Sequence, residues 1–340
     1  MWSRTPSRLW NPFPLFALLA LTLFACRPET SPKAPEDGSA APAVTAWANR
    51  GTTTPLLPLL GAAEEAGWRL DLRPWNTTMA FQSLLLAGEG EFWVGHLEGF
   101  ARAARRGAPL RILAVTGWRK WQLLSRREGV GGFPEDFLGR EVSIAPADGA
   151  GRFLLEKLLR EEGVAGVKVV PVDVRPLLLK AMEGKAEDLF LPEPFATVLL
   201  EKGLGFQRVD SLEAYYGRVR GGAPEVPWAG VAVNAHWAEA HPRETEELLE
   251  GMMSWNSRGG AREGEGEGVS RLWTAEREEA SGISREALAE SLLRDPVKVV
   301  PAWRMEGEVR EFLKVVAPEL AFRPEWLWRP PAGKEGDSRQ

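Results

Sequence analysis

Short apolar stretches alternate with segments of helical periodicity along the chain, from residue 44 to about residue 320. In the first part, this pattern predicts strands at 44–49, 69–75, 91–96 and 110–117 and helices over 55–66, 77–86 and 100–106. Strands that alternate with helices are typical of a mostly parallel sheet with helices on its faces. In such a sheet, ligands bind where the strands end and the helices begin.

A second alternating series follows from residue 140. It predicts strands at 140–151, 167–173, 187–194 and 228–237 and helices over 152–162, 176–183 and 195–202, before four mostly helical segments that end near residue 320. The chain has 340 residues, whereas a single hydrophobic core stops growing at about 250 to 300 residues. We therefore predict an α/β protein with two lobes, each built on its own sheet.

The two series contain a repeated unit, in which a helix, a glycine, an acidic residue and an apolar strand lead into a second helix. It occupies 84–107 and 177–203, and its strand is followed by Glu98-Gly-Phe-Ala in one copy and Glu193-Pro-Phe-Ala in the other. An acidic side chain at a helix start is stabilised by the free backbone N–H groups there. Two interpretations remain for both residues: they cap helices and need no ligand, or they present carboxylates to a ligand. The prolines that flank Glu193 predict a rigid corner that holds its side chain outward.

The N-terminal segment carries targeting information rather than fold information. Two arginines precede an apolar stretch at 13–25, which is too short to span a membrane and ends directly before Cys26. This arrangement resembles a bacterial lipoprotein signal, in which residues 1–25 are removed and Cys26 is lipidated; an ordinary secretory signal is the alternative. Residues 26–43 are predicted to form an extended tether, and residues 330–340 a disordered tail.

Composition narrows the possible chemistry. The formal net charge is −5 and no basic stripe is interleaved with aromatic residues, so we expect no nucleic-acid partner. Cys26 is the single cysteine, which excludes disulfides within the chain and cysteine-based metal sites. The three histidines lack the spacing of a zinc site, and the sequence contains no nucleophile elbow and no phosphate-binding loop. We therefore expect no metal, no cofactor and no enzymatic activity.

Four segments follow one another in a specific order along the chain: "TTTPLLPLLGAAEEAGWRLDL", "LLLAGEGEFWVG", "FPEDFLGREVSIAP" and "AMEGKAEDLFLPEPFA". In this order they resemble the substrate-binding proteins of ABC importers, specifically the nitrate/sulfonate/taurine/bicarbonate group with its thiamine-pyrimidine-like relatives. Glu91 and Glu187 stand where Asp is commoner in that family, and Phe137 interrupts its Asp-Leu pattern. These departures affect the choice of ligand more than the choice of fold.

The resemblance implies a periplasmic-binding-protein type II fold, in which two doubly wound α/β lobes are joined by two hinge crossings and close on a small molecule. The implied crossings lie near Leu123–Arg126 and Gly222–Val231, with lobe 1 formed by 44–124 and 230–329 and lobe 2 by 125–229. With the lipoprotein signal described above, we expect a lipid-anchored protein outside the cytoplasmic membrane, periplasmic or on the extracellular face. Its partners would be an ABC permease and the ATPase of that transporter, and we expect it to act as a monomer.

By position, loops at the strand ends would line the cleft of such a fold. The candidate ligand contacts in these loops are Thr53, Thr54, Trp75, Asn76, Thr77, His96, Glu98, Trp118, Trp121, Asp148, Gly149, Glu193 and Trp228. The hydroxyl groups are equally suited to capping helices, and the indole rings are equally suited to core packing.

The side chains in these loops favour one class of ligand. A bare oxyanion such as nitrate would need Arg or Lys, whereas the loops offer carboxylates together with Thr and Trp. This composition favours a small organic ligand with amine or other N–H donors, or with a flat ring. Arg50, Lys120 or Arg152 would reverse that preference by reaching the cleft. A same-fold enzyme of the lyase or pyrimidine-synthesis type and a ligand-sensing domain are the alternative functions.

Overall fold

The computed structural model describes residues 43–257, 269 and 271–331, and every structural statement below refers to these residues. The predicted signal segment, Cys26 and almost all of the predicted tether and tail lie outside them. Within the described part of the chain, no helix is both long enough and apolar enough to cross a membrane.

Two separate sheets organise the chain. Their strands are β1 (Ala43–Ala48), β2 (Arg69–Pro74), β3 (Phe92–His96), β4 (Leu110–Gly117), β5 (Trp121–Ser125), β6 (Glu141–Ile144), β7 (Lys168–Pro171), β8 (Asp188–Pro192), β9 (Gln207–Ser211), β10 (Ala229–Asn234) and β11 (Val300–Pro301). The order β11-β4-β10-β3-β1-β2 forms the sheet of the first lobe, and β7-β6-β8-β5-β9 forms the sheet of the second lobe. The predicted two-lobed α/β fold is confirmed.

Helices cover both faces of the sheets. They are α1 (Thr53–Glu65), α2 (Thr78–Ala87), α3 (Leu97–Arg105), α4 (Ala150–Glu161), α5 (Val174–Met182), α6 (Phe195–Glu201), α7 (Leu212–Arg220), α8 (Ala235–Ala240), α9 (Pro242–Ser254), α10 (Ala275–Ser281), α11 (Arg285–Arg294) and α12 (Glu306–Val316). Several begin after a hydroxyl that accepts a backbone N–H of the first turn, as Thr77 does for α2 and Ser211 for α7.

Parallel pairing brings the ends of the central strands to one edge of each sheet. In the first lobe, β1 pairs in parallel with β2 and β3. In the second lobe, β6 pairs in parallel with β7 and β8. Strands β10 and β5 run antiparallel to their neighbours, because they are the strands with which the chain enters each sheet from the other lobe.

Helix α1 lies at the centre of the core of the first lobe. It is apolar on all sides, and its residues from Thr53 to Ala63 are all buried, as expected for a helix enclosed by other elements. It packs between the sheet and helices α9 and α11. The opposite face of the sheet is covered by α2 and α3, where Phe81 packs between Trp75 and Phe100.

The chain passes between the two sheets at two places. The first crossing consists of residues 118–120, between β4 and β5, and the second consists of residues 221–228, between α7 and β10. The crossings are hydrogen-bonded to each other, since Trp228 donates its backbone N–H to Gly117 at 3.0 Å and Val226 donates to Trp118 at 3.2 Å. They therefore form a two-stranded connection between the lobes.

The first crossing precedes the position that the sequence predicts, near Leu123–Arg126. Leu123 lies within β5, which pairs with β8 and β9 of the second sheet. Strand β5 is buried along its whole length and has no apolar and polar alternation, so periodicity gives no signal for it. Strand β9 was not predicted either, because it is a short and mostly polar edge strand.

Helix α12 connects the lobes near these crossings. Its buried residues, such as Val309 and Phe312, belong to the same apolar cluster as Leu154 and Leu158 of α4 in the second lobe and Leu97 of α3 in the first. A segment that the sequence assigns to lobe 1 therefore also packs against the second lobe.

Candidate functional site

Lys120, the last residue of the first crossing, lies where strand ends of both lobes meet. Its side chain is only 2% exposed. The ammonium group donates to the carbonyl of Gly51 in the loop after β1, and the backbone carbonyl accepts the N–H of Glu193, after β8, at 2.7 Å. Burial lowers the pKa of Lys120 to about 8, although three neighbouring carboxyl groups favour its charged form. Lys120 thus joins a loop of the first lobe to a loop of the second.

His96 and Glu98 lie at the junction of β3 and α3. Helix α3 begins earlier than predicted, so Glu98 belongs to its first turn. Oε2 of Glu98 is buried and has no hydrogen-bond partner among the described residues. Burial raises the pKa of Glu98 to about 7, and the charge of Asp148 acts in the same direction. Burial and the charge of Lys120 lower the pKa of His96 to about 3, so its ring is neutral at neutral pH.

Glu193 is buried and turned towards its own helix. Its side chain is 1% exposed, and Oε2 accepts both the backbone N–H of Thr197 at 3.1 Å and its hydroxyl at 2.8 Å. Oε1 is buried without a partner among the described residues. Burial raises the pKa of Glu193 to about 7, against the bonds from Thr197 and the charge of Arg294. The expectation that the flanking prolines hold this side chain outward is therefore wrong.

Thr53 and Thr54 begin α1 and are both buried. The hydroxyl of Thr54 donates to Oδ2 of Asp295 at 3.3 Å, and Oδ1 of Asp295 accepts the backbone N–H of Arg119 at 3.1 Å. Burial raises the pKa of Asp295 to about 6. The hydroxyl of Thr53 has no partner among the described residues. Thr54 therefore links α1 to the first crossing, whereas Thr53 keeps a free hydroxyl.

Two of the candidate indoles are occupied by structural contacts. Trp75 stacks on Phe81 with 4.2 Å between ring centroids, and it belongs to the core of the first lobe. The indole N–H of Trp118 donates to the carbonyl of Lys298 at 2.6 Å. Core packing, one of the two interpretations of the sequence, describes both residues.

Trp121 and Trp228 face each other beside the crossings, with 6.0 Å between ring centroids. The Trp121 ring lies against the first turn of α4, where a Cβ atom on Gly151 would come within 2.3 Å of it. Its indole N–H is buried and has no partner among the described residues. The indole N–H of Trp228 instead donates to Oε1 of Glu213 at 2.5 Å.

The remaining candidates lie in exposed loops. Asn76 and Thr77 are exposed, and the hydroxyl of Thr77 accepts the backbone N–H of Ala80 as the cap of α2. Asp148 is exposed and Gly149 is partly buried just before α4. Of these four residues, only Asp148 influences the buried part of the site, through its charge on Glu98.

Two of the three cations that would favour an oxyanion are engaged elsewhere. The guanidinium of Arg50 donates to the carbonyl of Ala280 at 3.4 Å. That of Arg152 donates to Glu156, one turn further along α4, at 2.7 Å. Lys120 is the member of this group that reaches the junction of the two lobes.

Two buried carboxyl groups of the site were absent from the candidates of the sequence analysis. Glu213 accepts the backbone N–H groups of Lys120 and Trp121 at 2.9 and 3.0 Å, and burial raises its pKa to about 8. Asp295 holds Thr54 and Arg119, as described above. An acidic residue just after a Ser cap, or at the end of a helix, is common on protein surfaces, so the local sequence gave no signal that either one is buried.

Among the candidate ligand contacts, four have a buried polar atom that lacks a partner among the described residues: Thr53 Oγ1, Glu98 Oε2, Trp121 Nε1 and Glu193 Oε1. A buried polar group without a partner costs free energy, so such groups mark places where water or a ligand completes the hydrogen bonds. Within the described ranges, no group of three or more His, Cys, Asp or Glu residues is arranged to hold a metal ion.

Comparison with solved structures identifies a shared fold. Over 85% of its length, the chain matches the ligand-binding component of an ABC-type import system from Staphylococcus aureus, solved with zinc bound, with a TM-score of 0.62, 12% identity and 97% of that chain covered. It also matches the periplasmic aliphatic sulphonate-binding protein SsuA from Escherichia coli, with a TM-score of 0.61, 13% identity, and 88% and 97% of the two chains covered.

A third similar structure is the periplasmic nitrate-binding protein NrtA from Synechocystis PCC 6803, with a TM-score of 0.52, 14% identity, and 74% and 69% of the two chains covered. No protein-family model and no curated protein matches the sequence. At these low identities, the structural likeness establishes the fold alone, which this chain shares with the three binding proteins just described.

Proposed function

We propose that the protein is the extracytoplasmic solute-binding component of an ABC importer. In this proposal it captures a small organic ligand between its two lobes and delivers that ligand to a membrane permease. Lipidation at Cys26 would hold the protein outside the cytoplasmic membrane, and the lobe boundaries would fall at the two crossings.

The observation that carries the proposal is the set of four buried, unpartnered polar atoms at the junction of the lobes. Thr53 and Glu98 belong to the first lobe, and Trp121 and Glu193 belong to the second. A ligand that completes hydrogen bonds on both sides gains its full binding energy only when the lobes are together. The fold shared with binding components of importers supports the same conclusion.

The chemistry of these atoms supports a ligand with amine or other N–H donors. Two of the four atoms are carboxylate oxygens, on Glu98 and Glu193, and the Thr53 hydroxyl can also accept a hydrogen bond. Arg50 and Arg152 are occupied by other contacts, and Lys120 is surrounded by carboxyl groups that balance its charge. The ionised forms of Glu98 and Glu193 would attract an amine and repel an anionic ligand.

Thermal shift measurements with two sets of compounds test the proposed ligand class. We expect amines and amino-heterocycles to raise the unfolding temperature and alkanesulfonates and nitrate to leave it unchanged. A ligand at 100 times its dissociation constant stabilises the folded protein by about 2.7 kcal/mol, which is readily detected. The variant Glu98→Gln should weaken that stabilisation, because a neutral amide attracts an amine less strongly.

Glu187→Gln is the matched control, since Glu187 is an exposed carboxylate of the second lobe that pairs with Arg140. It should leave the ligand-induced shift unchanged. Stabilisation by sulfonates or nitrate, with none by amines, would show that the proposed ligand class is wrong.

A further inference from the structure

Glu213 occupies an unusual position for a carboxylate. It is the second residue of α7, directly after β9, and it is completely buried. The free N–H groups at a helix start stabilise an acidic side chain. This effect also acts on exposed side chains, so it does not explain why Glu213 is buried. The contacts of the carboxylate are more informative.

The carboxylate of Glu213 binds both crossings between the lobes. Oε1 accepts the backbone N–H groups of Lys120 at 2.9 Å and Trp121 at 3.0 Å, which belong to the end of the first crossing and the start of β5. The same oxygen accepts the indole N–H of Trp228, the last residue of the second crossing, at 2.5 Å. One buried group therefore joins both segments through which the lobes are connected.

These three bonds constrain the motion that opens a cleft. Lobes that close on a ligand rotate through φ/ψ changes in a few residues of the connecting segments. All three bonds place an N–H donor on the same carboxyl oxygen, which accepts them whether the group is protonated or ionised, and they are strongest when it is ionised. The N–H groups of Lys120 and Trp121 cannot turn relative to the Trp228 side chain without breaking one of them.

A second buried carboxylate shows that burial alone does not give this role. Asp188 is also buried and accepts bonds from Ser125, Arg127 and Arg140 at 2.6 to 3.1 Å. All of these partners lie in the second lobe, on β5, just after it, or just before β6. Asp188 thus stabilises one lobe, whereas Glu213 connects the two crossings.

We propose that Glu213 is the positioning residue of the hinge: by binding both crossings at once, it fixes the relative orientation of the lobes and thereby the geometry of the ligand cleft. This inference rests on the proposed solute-binding function for its biological meaning. The orientation of the lobes is nevertheless measurable without any ligand, so the two proposals can fail separately.

Distances between spin labels on the two lobes test the inference. The full-length chain would carry Cys26→Ser together with Arg106→Cys, at the end of α3, and Leu179→Cys, on α5, both of which are exposed. We expect one narrow distance distribution in the otherwise unchanged protein. Glu213→Leu should replace it with a broader distribution or a second component, because leucine offers no acceptor to any of the three N–H groups.

Two further variants keep the test decisive. Trp228→Phe removes only the bond to the second crossing, so it should broaden the distribution less than Glu213→Leu. Asp188→Asn should lower the unfolding temperature and leave the distribution unchanged, because the partners of Asp188 lie within one lobe.

The inference is overturned by one clear result. Glu213→Leu and Asp188→Asn would then both lower the unfolding temperature, while the interlobe distance distribution of each matches that of the parent protein. Such a result would make Glu213 an ordinary buried carboxylate of the core. Failure to find any ligand, combined with a broadened distribution for Glu213→Leu, would contradict the proposed function and leave the hinge assignment intact.

Discussion

At the scale of single residues, Glu98 and Glu193 show what a local sequence pattern can and cannot predict. The repeat in the sequence placed both after a strand and at the start of a helix, and the structure agrees. The sequence left open whether they cap helices or meet a ligand. In the structure, Oε2 of Glu193 caps its helix by accepting the backbone N–H of Thr197. Oε1 of Glu193 and Oε2 of Glu98 have no partner among the described residues. The direction of a side chain depends on neighbours that are distant in sequence.

Gly151 offers a residue-scale prediction about the wall of the site. A Cβ at this position would lie 2.3 Å from the ring of Trp121, so Gly151→Ala must displace the ring or the start of α4. Overpacking of this kind typically costs about 1 to 3 kcal/mol, which outweighs the roughly 0.5 to 1 kcal/mol that Ala gains over Gly inside a helix. Urea unfolding should show the loss, together with a change in Trp fluorescence.

Gly222→Ala provides the control, because a Cβ on Gly222 meets no atom within 4 Å. Its stability should stay within about 0.5 kcal/mol of the parent protein, as is usual for surface substitutions. Equal stabilities of the two variants would contradict the close packing of Trp121 against α4.

At the scale of elements, the end of α11 joins the two lobes through α6. Arg294 donates to the hydroxyl of Thr197 at 2.8 Å, and that hydroxyl donates to Glu193 at 2.8 Å. The next residue, Asp295, binds Thr54 of the first lobe. Helical periodicity predicted α6 and a helical region around α11 but not their contact, because pairing between helices depends on how the chain returns after the second sheet.

Thr197→Val tests this connection at nearly constant volume. It removes the hydroxyl that Arg294 and Glu193 share, so the buried carboxyl group loses one of its bonds and Arg294 keeps, within the described ranges, only its bonds to Glu290. We expect the free energy of unfolding to fall by about 1 to 3 kcal/mol, and hydrogen exchange in α6 to become faster. Both are measurable by urea unfolding and by mass spectrometry.

Thr245→Val is the matched control. Thr245 is equally buried, but its hydroxyl donates only to the carbonyl of His241 within the same turn of chain, at 2.8 Å. Its replacement should cost clearly less than that of Thr197. If Thr245→Val lowers the free energy of unfolding as much as Thr197→Val does, the contact between α6 and α11 contributes nothing to stability.

For the whole molecule, the buried groups at the junction give stability a definite dependence on pH. Burial raises the pKa of Glu98 and Glu193 to about 7 and that of Glu213 to about 8. Between the ordinary carboxyl pKa of 4.5 and these raised values, the folded protein holds protons that the unfolded chain has released. The free energy of unfolding therefore falls as pH rises through that range. Below about pH 6.5 the buried neutral His96 acts in the opposite direction, because the unfolded chain binds the proton that the folded protein excludes.

We therefore expect the free energy of unfolding to decrease between pH 6.5 and 8, by at most about 1.4 kcal/mol per pH unit for each carboxyl group that titrates. Denaturant titrations at pH 6.5, 7.2 and 8 measure the slope. Above pH 8 the trend should reverse, since the lowered pKa of Lys120 leaves it neutral in the folded protein while the unfolded chain still binds the proton.

Glu213→Gln should flatten the decline between pH 7 and 8, because it removes the group with the highest of these carboxyl pKa values. Stability that stays constant or rises between pH 6.5 and 8 would contradict the assignment of buried carboxyl groups to this junction.

The sequence by itself determined the α/β character, the two sheets and most of their strands and helices, because periodicity is a local property that each segment carries alone. It also predicted the strand ends after which Thr53, Glu98 and Glu193 lie, whereas β5, which begins at Trp121, had no local signal. Only the tertiary structure decided where the chain crosses between lobes, which indoles lie in the core, and that Glu213 and Asp295 are buried beside Lys120. The burial, charge and hydrogen bonds of these groups depend on segments that are far apart in the chain, and only folding brings those segments together.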